Sequence, residues 1–212
     1  RWYHPKMGQI SPSDFIPLAE QTGMISQVTE WVLDKSIILQ KQLTDAGANL
    51  RLSMNISPLD LRNAALISRV IEAVKSTSYS TVPLQLELTE TAFVDLVKDS
   101  EQALKLLERS NIRISLDDFG VGMSSFAYLK HLPVDYLKID GQFIKDVVHD
   151  PLDRAAVRCF CDVARVMGLK TVGEFVEDDP ILQELLELGV DYAQGYLIHR
   201  PEPLGRLLGL TE

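Results

Sequence analysis

Short apolar runs of strand length recur along this chain, separated by helix-length segments, and each run stops on a polar residue suited to metal or phosphate chemistry. LSMN ends at Asn55, LQLE at Glu87, ISLDD at Asp117 and Asp118, YLK at Lys138, KTVGE at Glu174 and the weaker DYAQ at Gln194. Strands alternating with helices of this length imply right-handed crossovers and a parallel sheet, an α/β architecture. Barrels of parallel strands carry their active sites on the C-terminal ends of those strands. A single polar strand end is a solvated terminus. Six in succession point to convergence on one acidic site.

Alternation along each strand sharpens the pattern, because neighbouring side chains face opposite sides of a sheet. Leu84, Leu86 and Leu88 oppose Gln85 and Glu87; Leu52 and Met54 oppose Ser53 and Asn55. Ile112, Ile114 and Leu116 oppose Ser115 and Asp117, and Leu137 and Ile139 oppose Lys138. The apolar set is expected to pack outward on helices and the polar set to line a barrel mouth. Glu174 fits less well, since Val172 shares its parity.

Between the strands, Ser11-Pro12-Ser13-Asp14 predicts a helix start with a hydroxyl cap, and Phe15, Leu18 and Ala19 an apolar stripe. Further helices are expected from about Ser26 to Ala46, from Ser57-Pro58 through Leu61, Val70 and Val74, and around Ala103 to Leu107. Two more are expected from about Pro151 to Met167 and from Asp179 to Leu188. DFGVGMSSF reads as a glycine-containing loop whose Phe119, like Phe126, serves loop packing. With no repeat, low-complexity tract or linker, residues 1–212 read as a single domain.

Net charge narrows the class of ligand. At −9 the chain is not a nonspecific binder of DNA or RNA polymers, although metal ions and a few cations can still bring a small nucleotide to an acidic site. No run approaches the ~18 apolar residues of a membrane span, and no apolar segment follows the charged N-terminus as in a signal peptide. Cys159 and Cys161 lie two apart in a helical run and point in different directions, which reads as reduced core-side thiols of a cytoplasmic domain. His4, His131, His149 and His199 show no metal-ligand spacing and read as surface or loop residues.

RWYHPKMGQISPSDFIPLAEQTG, MNIS, LELTE, LDDFGVGMSSFAYLKHLPVDYLKID, VGEFVE and AQGYL follow one another in the order found in the EAL domain family, which the chain closely resembles from Arg1 to about Pro203. That bacterial family hydrolyses the second messenger cyclic di-GMP, and its fold is a modified TIM (β/α)8 barrel. The resemblance implies that the chain begins after most of the first barrel strand, and that the glutamate of the EAL signature falls a few positions before Arg1. By position, Asn55, Glu87 and Asp117 resemble ligands of one metal, with Asp117 bridging to a second that Asp118 also holds. Lys138 resembles the cation beside the attacked phosphate, and Glu174 the group that positions or deprotonates water. Glu177 and Gln194 match further functional positions, Arg1 a phosphate-contacting arginine, and Glu90 the anchor of the loop from Phe119 to Ser125. Three departures stand out: Phe175-Val176 where the family has Gly-Val, Val121 and Met123 in the loop, and the signature glutamate lying outside the sequence.

The chemistry requires this grouping of residues. A phosphodiester is anionic and resists nucleophiles; two divalent cations neutralise it, acidify the attacking water and stabilise the leaving oxygen. Mg2+ or Mn2+ prefer the carboxylate and amide oxygens that Asn55, Glu87, Asp117 and Asp118 offer. Adjacent aspartates at the end of an apolar run repel unless a cation separates them, and a lysine of interior parity needs anionic partners. The resemblance implies a two-metal cyclic di-GMP phosphodiesterase giving linear pGpG, with a non-hydrolysing cyclic di-GMP receptor as the alternative. It further implies a homodimer, and a parent protein in which GGDEF or sensory domains and a membrane anchor lie outside these residues.

Overall fold

Alternating apolar residues build the sheet, and the helices between them cover its outer face. The structure, a computed structural model, describes residues 2–76, 84–90, 101–122, 129–130 and 133–207. Of the residues singled out from the sequence, Arg1, Met123, Ser125, Phe126 and His131 lie outside that set.

An antiparallel hairpin opens the chain, β1 (Trp2–His4) pairing with β2 (Gly8–Ile10) in the register Trp2 to Ile10. The segments WYH and GQI carry no alternating aliphatic run, so the sequence pattern missed them. There follow α1 (Pro12–Gln21), α2 (Ile25–Asp45), β3 (Ser53–Asn55), α3 (Pro58–Leu61), α4 (Ala64–Ser76) and β4 (Gln85–Thr89). After these come α5 (Glu101–Arg109), β5 (Arg113–Phe119), β6 (Tyr136–Ile139), α6 (Gly141–Ile144) and α7 (Pro151–Met167). The described chain finishes with β7 (Lys170–Gly173), α8 (Asp179–Leu188), β8 (Tyr192–Ala193) and α9 (Leu204–Leu207).

Strands β3 to β8 form one parallel sheet whose spatial order is their chain order. Among the described residues, helices lie between β3 and β4, β4 and β5, β6 and β7, and β7 and β8, as in the wall of a TIM-like barrel. The core lies between that wall and the helices. Met54, Leu84, Leu86, Leu88, Ile112, Ile114, Leu116, Leu137 and Ile139 are all buried in it, packed with Leu33 of α2, Leu104 and Leu107 of α5, Val157 and Phe160 of α7, and Leu185 of α8. Truncating any one of these leucines to alanine costs about 2–5 kcal/mol.

Several local expectations are corrected. The helix predicted from Ser57 is two helices. Ser57 and Asp60 form a reciprocal capping box on α3, and the Asn63 side chain then accepts from the Leu66 N–H at 3.2 Å, restarting the helix as α4. Ser11 precedes α1 but its side chain caps nothing; its Oγ lies 2.7 Å from Ser13 Oγ instead, and Leu18 is exposed rather than part of a buried stripe. Of the two thiols only Cys161 faces the core; Cys159 is exposed on α7. Phe119 is fully buried and meets the Phe160 ring edge-on at 5.2 Å, closing β5 against α7. Among the described residues, no helix is long and apolar enough to cross a membrane.

Candidate functional site

The C-terminal ends of β4 to β7 bring one ammonium among several carboxylates. Lys138 of β6 is 4% exposed, and its Nζ lies 2.7 Å from Asp117 Oδ1, 2.8 Å from Glu174 Oε1 and 3.3 Å from Glu87 Oε2. Parallel register explains the meeting, since Asn55 stands beside Glu87 on the neighbouring strand and Lys138 beside Val172. Val172 therefore faces the barrel interior with Lys138. The parity that made Glu174 a poor fit is the interior parity of this strand, and the apolar residue is the exception. The intervening Gly173 faces outward, where an added Cβ would lie 2.7 Å from Leu185 Cδ1.

Backbone strain marks the two acidic strand ends. Asp118 and Phe175 both adopt a φ of 54°, a left-handed conformation that costs a non-glycine residue on the order of 1–3 kcal/mol. Pairing between β5 and β6 shifts register between Leu116 and Phe119, so Asp117 and Asp118 sit on an irregularity that turns consecutive side chains toward one place. One carboxylate oxygen each from Asp117, Asp118 and Glu174 falls within 4.8 Å of the others. Just past β4, the Glu90 carboxylate accepts from the N–H of Gly120 at 2.9 Å and of Gly122 at 3.3 Å, tying the loop after β5 to the neighbouring strand end.

Electrostatics follow from this crowding. Burial pushes the Lys138 ammonium toward the neutral form, but Glu87, Asp117 and Glu174 outweigh it and hold its pKa well above the ordinary lysine value. Burial lifts the Glu174 pKa above the usual carboxylate range, with Lys138 opposing. Asp118 is raised as well, by partial burial of its carboxyl and by the charges of Asp117 and Asp140. Among the described residues, Lys138 is the one cation placed among the carboxylates of Glu87, Asp117, Asp118 and Glu174, a single positive charge against four acidic groups. The excess negative charge and the all-oxygen donor set fit a hard divalent cation.

Two concavities lie beside one another here, and only the first reaches the cluster, at Glu174. One of about 260 Å3 is lined by Glu174, Phe175, Glu177, Gln194, Gly195 and Tyr196. Phe175 is about half exposed on its wall, with Lys145 Nζ 4.4 Å from the ring centroid. The ring lies over Gly141, where a Cβ would come within 2.3 Å of Phe175 Cδ2. A second concavity of about 370 Å3 shares Gln194, Gly195 and Tyr196 and extends to His199, Arg200, Pro201 and Glu202.

The structure thus brings Glu87, Asp117, Asp118, Lys138 and Glu174 together, with Asn55 beside Glu87 on β3 and Glu177 and Gln194 on the adjoining wall. Arg1 lies outside the described residues. The sequence pattern missed Asp140, whose charge acts on Asp118 while its carboxylate caps α6 through the Gln142 N–H at 2.8 Å. The signal was present: Asp140 shares the parity of Lys138 two residues on. Tyr196, Arg200 and Glu202 carried no such signal, because they follow the last strand.

Comparison with known proteins gives a consistent picture. The sequence model of the EAL domain matches residues 1–201. The bifunctional diguanylate cyclase/cyclic di-GMP phosphodiesterase MucR of Pseudomonas aeruginosa is 40% identical over 98% of this chain and 30% of its own length. The cyclic di-GMP phosphodiesterase NbdA of the same organism is 38% identical over 98% of this chain and 27% of its length. The chain therefore spans about a third or less of these relatives. A solved structure of the MucR phosphodiesterase in complex with c-di-GMP superposes with a TM-score of 0.89 at 40% identity, covering 98% of this chain and 84% of that one.

Proposed function

Because the chain belongs to the EAL domain family, we propose that it is a metal-dependent phosphodiesterase that hydrolyses cyclic di-GMP to linear pGpG, acting as one catalytic domain. The observation that carries this reading is the buried Lys138 ammonium, within 3.3 Å of three carboxylates, two of which, Asp117 and Glu174, also lie close to Asp118. A structural salt bridge needs one acid; this cluster keeps several at the open end of a barrel.

Asn55, Glu87, Asp117 and Asp118 would hold two divalent cations, Mg2+ or Mn2+. Such ions, when bound, neutralise phosphate oxygens and make a water molecule acidic enough to be deprotonated near neutral pH. The chain's own residues supply the rest. Glu174, whose burial favours the protonated form, is suited to take a proton from the attacking water. The water oxygen bonds to phosphorus, the bond from phosphorus to the ribose 3′ oxygen breaks, and that oxygen leaves as a hydroxyl once protonated. Lys138 stays charged at every working pH and places its ammonium where the phosphoryl oxygens gain negative charge. Glu90 fixes the loop that carries Gly120 and Gly122, and so the aim of Asp117 and Asp118. Glu177 and Gln194 border the concavity next to Glu174 and would contact the substrate, as would Arg1. A homodimer and additional GGDEF or sensory domains in a longer parent protein complete the proposal.

Incubating the protein with cyclic di-GMP and Mn2+ and resolving nucleotides by chromatography tests the reading. Linear pGpG is expected. Tight binding with the cyclic dinucleotide recovered intact would establish the receptor alternative instead.

A further inference from the structure

The residue after Glu174 stands where its type is poorly suited. Phe175 holds a φ of 54°, a left-handed conformation that glycine adopts freely and phenylalanine does not. Its side chain is about half exposed, so burial accounts for little of its placement. The backbone on either side is tied down. The Glu174 N–H donates to the Ile139 carbonyl at 3.3 Å, and the Val176 N–H to the Gln194 carbonyl at 3.0 Å. Between these two ties the chain turns, and the ring comes to lie against α6.

That helix follows directly on the strand that carries Lys138. The three atoms nearest to a Cβ added at Gly141 would all belong to Phe175, with Cδ2 at 2.3 Å, Cγ at 2.7 Å and Cβ at 3.0 Å. The ring therefore rests on bare backbone that only glycine leaves open. Just past α6, Lys145 donates its N–H to the Gly141 carbonyl at 3.0 Å and brings its Nζ to 4.4 Å from the ring centroid. The ring is thus held at two points beyond Lys138, while Glu174, the residue before it, meets Lys138 Nζ at 2.8 Å.

We propose that Phe175 is a positioning residue. Its ring, seated on Gly141, fixes the exit of β7 against that of β6 and so holds the Glu174 carboxylate opposite Lys138, aimed at the attacking water. The catalytic part of this role rests on the hydrolytic reading of the site. It does not require the ring to touch the substrate, because misplacing a catalytic group by about 1 Å can lower a rate by about 10²-fold.

Phe175→Gly removes the ring and the backbone strain together. The two effects oppose each other, so the thermal midpoint is expected to stay within about 4 °C of the wild type. With Mn2+ and cyclic di-GMP, kcat is expected to fall about tenfold or more while KM stays within about twofold. Phe175→Tyr keeps the ring and is expected to retain most of the rate. Gly141→Ala unseats the ring; it is expected to lower kcat in the wild-type background and to add nothing in Phe175→Gly, where the clashing atoms are gone.

A second readout needs neither metal nor substrate. The Lys138 ammonium is 4% exposed and shared with Glu174, so its protons exchange slowly with water. Nitrogen-15 NMR of the metal-free protein is expected to show faster exchange at Lys138 in Phe175→Gly. Unchanged exchange, an unchanged kcat in Phe175→Gly, or additive losses in the double variant each overturn the positioning role. A raised KM at unchanged kcat overturns it too, by making Phe175 a ligand contact. If the wild-type protein leaves cyclic di-GMP intact, the hydrolytic reading fails and exchange alone decides: faster exchange upholds the clamp on Glu174, and unchanged exchange overturns it.

Discussion

Replacing Lys138 by methionine keeps an unbranched side chain one atom shorter and removes the charge that holds the cluster together. The ammonium is 4% exposed and contacts Asp117, Glu174 and Glu87 at 2.7, 2.8 and 3.3 Å, so the variant leaves three carboxylates without their shared partner. Breaking a buried ion pair by removing one partner costs about 3–5 kcal/mol. Each kcal/mol shifts the midpoint of a protein of this size by roughly 2–4 °C, so the metal-free variant should melt on the order of 10 °C below the wild type. The raised pKa of Lys138 places this stabilisation below the ordinary lysine value of 10.5, where it is fully present, and it is lost only as pH rises through the still higher folded value. Lys138 itself keeps its charge across this range, so the deficit should not shrink between pH 6 and pH 9. Adding Mn2+ should recover most of it, because a metal ion replaces the lost positive charge. In turnover assays the variant should lose about 10²–10³ in kcat with a smaller change in KM, as expected for charge that counts most in the transition state. A metal-free midpoint within 1 °C of the wild type, or a raised KM with kcat unchanged, would refute the reasoning about Lys138.

Three other outcomes follow from the same geometry. Asp117→Asn should lose at least one bound Mn2+ by titration calorimetry and abolish hydrolysis; unchanged stoichiometry and affinity would remove Asp117 from the metal site. The raised pKa values of Asp118 and Glu174 mean that the fold gains from their protonation below the ordinary values of 3.8 and 4.5, and that this gain is lost as pH rises through the higher folded values. A cation relieves the repulsion that remains, so the Mn2+-induced rise in thermal midpoint should grow between pH 5 and pH 8; a flat profile would mean that these carboxyls do not feel the ion. Gly195→Ala forces a Cβ to 2.2 Å from the Val176 carbonyl oxygen, a clash with backbone that cannot relax cheaply, and should destabilise the protein by more than 2 kcal/mol in chemical denaturation.

Much of this site was legible in the sequence because strand alternation is a strict code. Once Leu84, Leu86 and Leu88 face the helices, Glu87 must face the interior, and the same logic places Asp117 and Lys138. Helix limits were legible where punctuation is strong: Asp150 and Pro151 open α7 and Gly168 closes it in a left-handed conformation. The pattern failed where composition or local chemistry overrides periodicity. The segments of β1 and β2 carry no alternating aliphatic run, and the Asn63 cap divides a continuous apolar rhythm into α3 and α4. Val172 misled because an apolar residue can also line a barrel interior. Phe175 was visible as a departure from the family pattern, but its left-handed backbone and its seat over Gly141 depend on contacts between separate elements, which no local reading supplies.

The most direct test of the central claim is the nucleotide product formed from cyclic di-GMP by the full-length natural protein that carries these residues, with Mn2+, with a chelator, and with Asp117→Asn in the presence of Mn2+. Linear pGpG is expected in the first reaction and intact cyclic dinucleotide in the other two. Equal yields of pGpG in all three would contradict that claim, since hydrolysis would then need neither a metal nor the acidic strand end that Lys138 and Glu174 share.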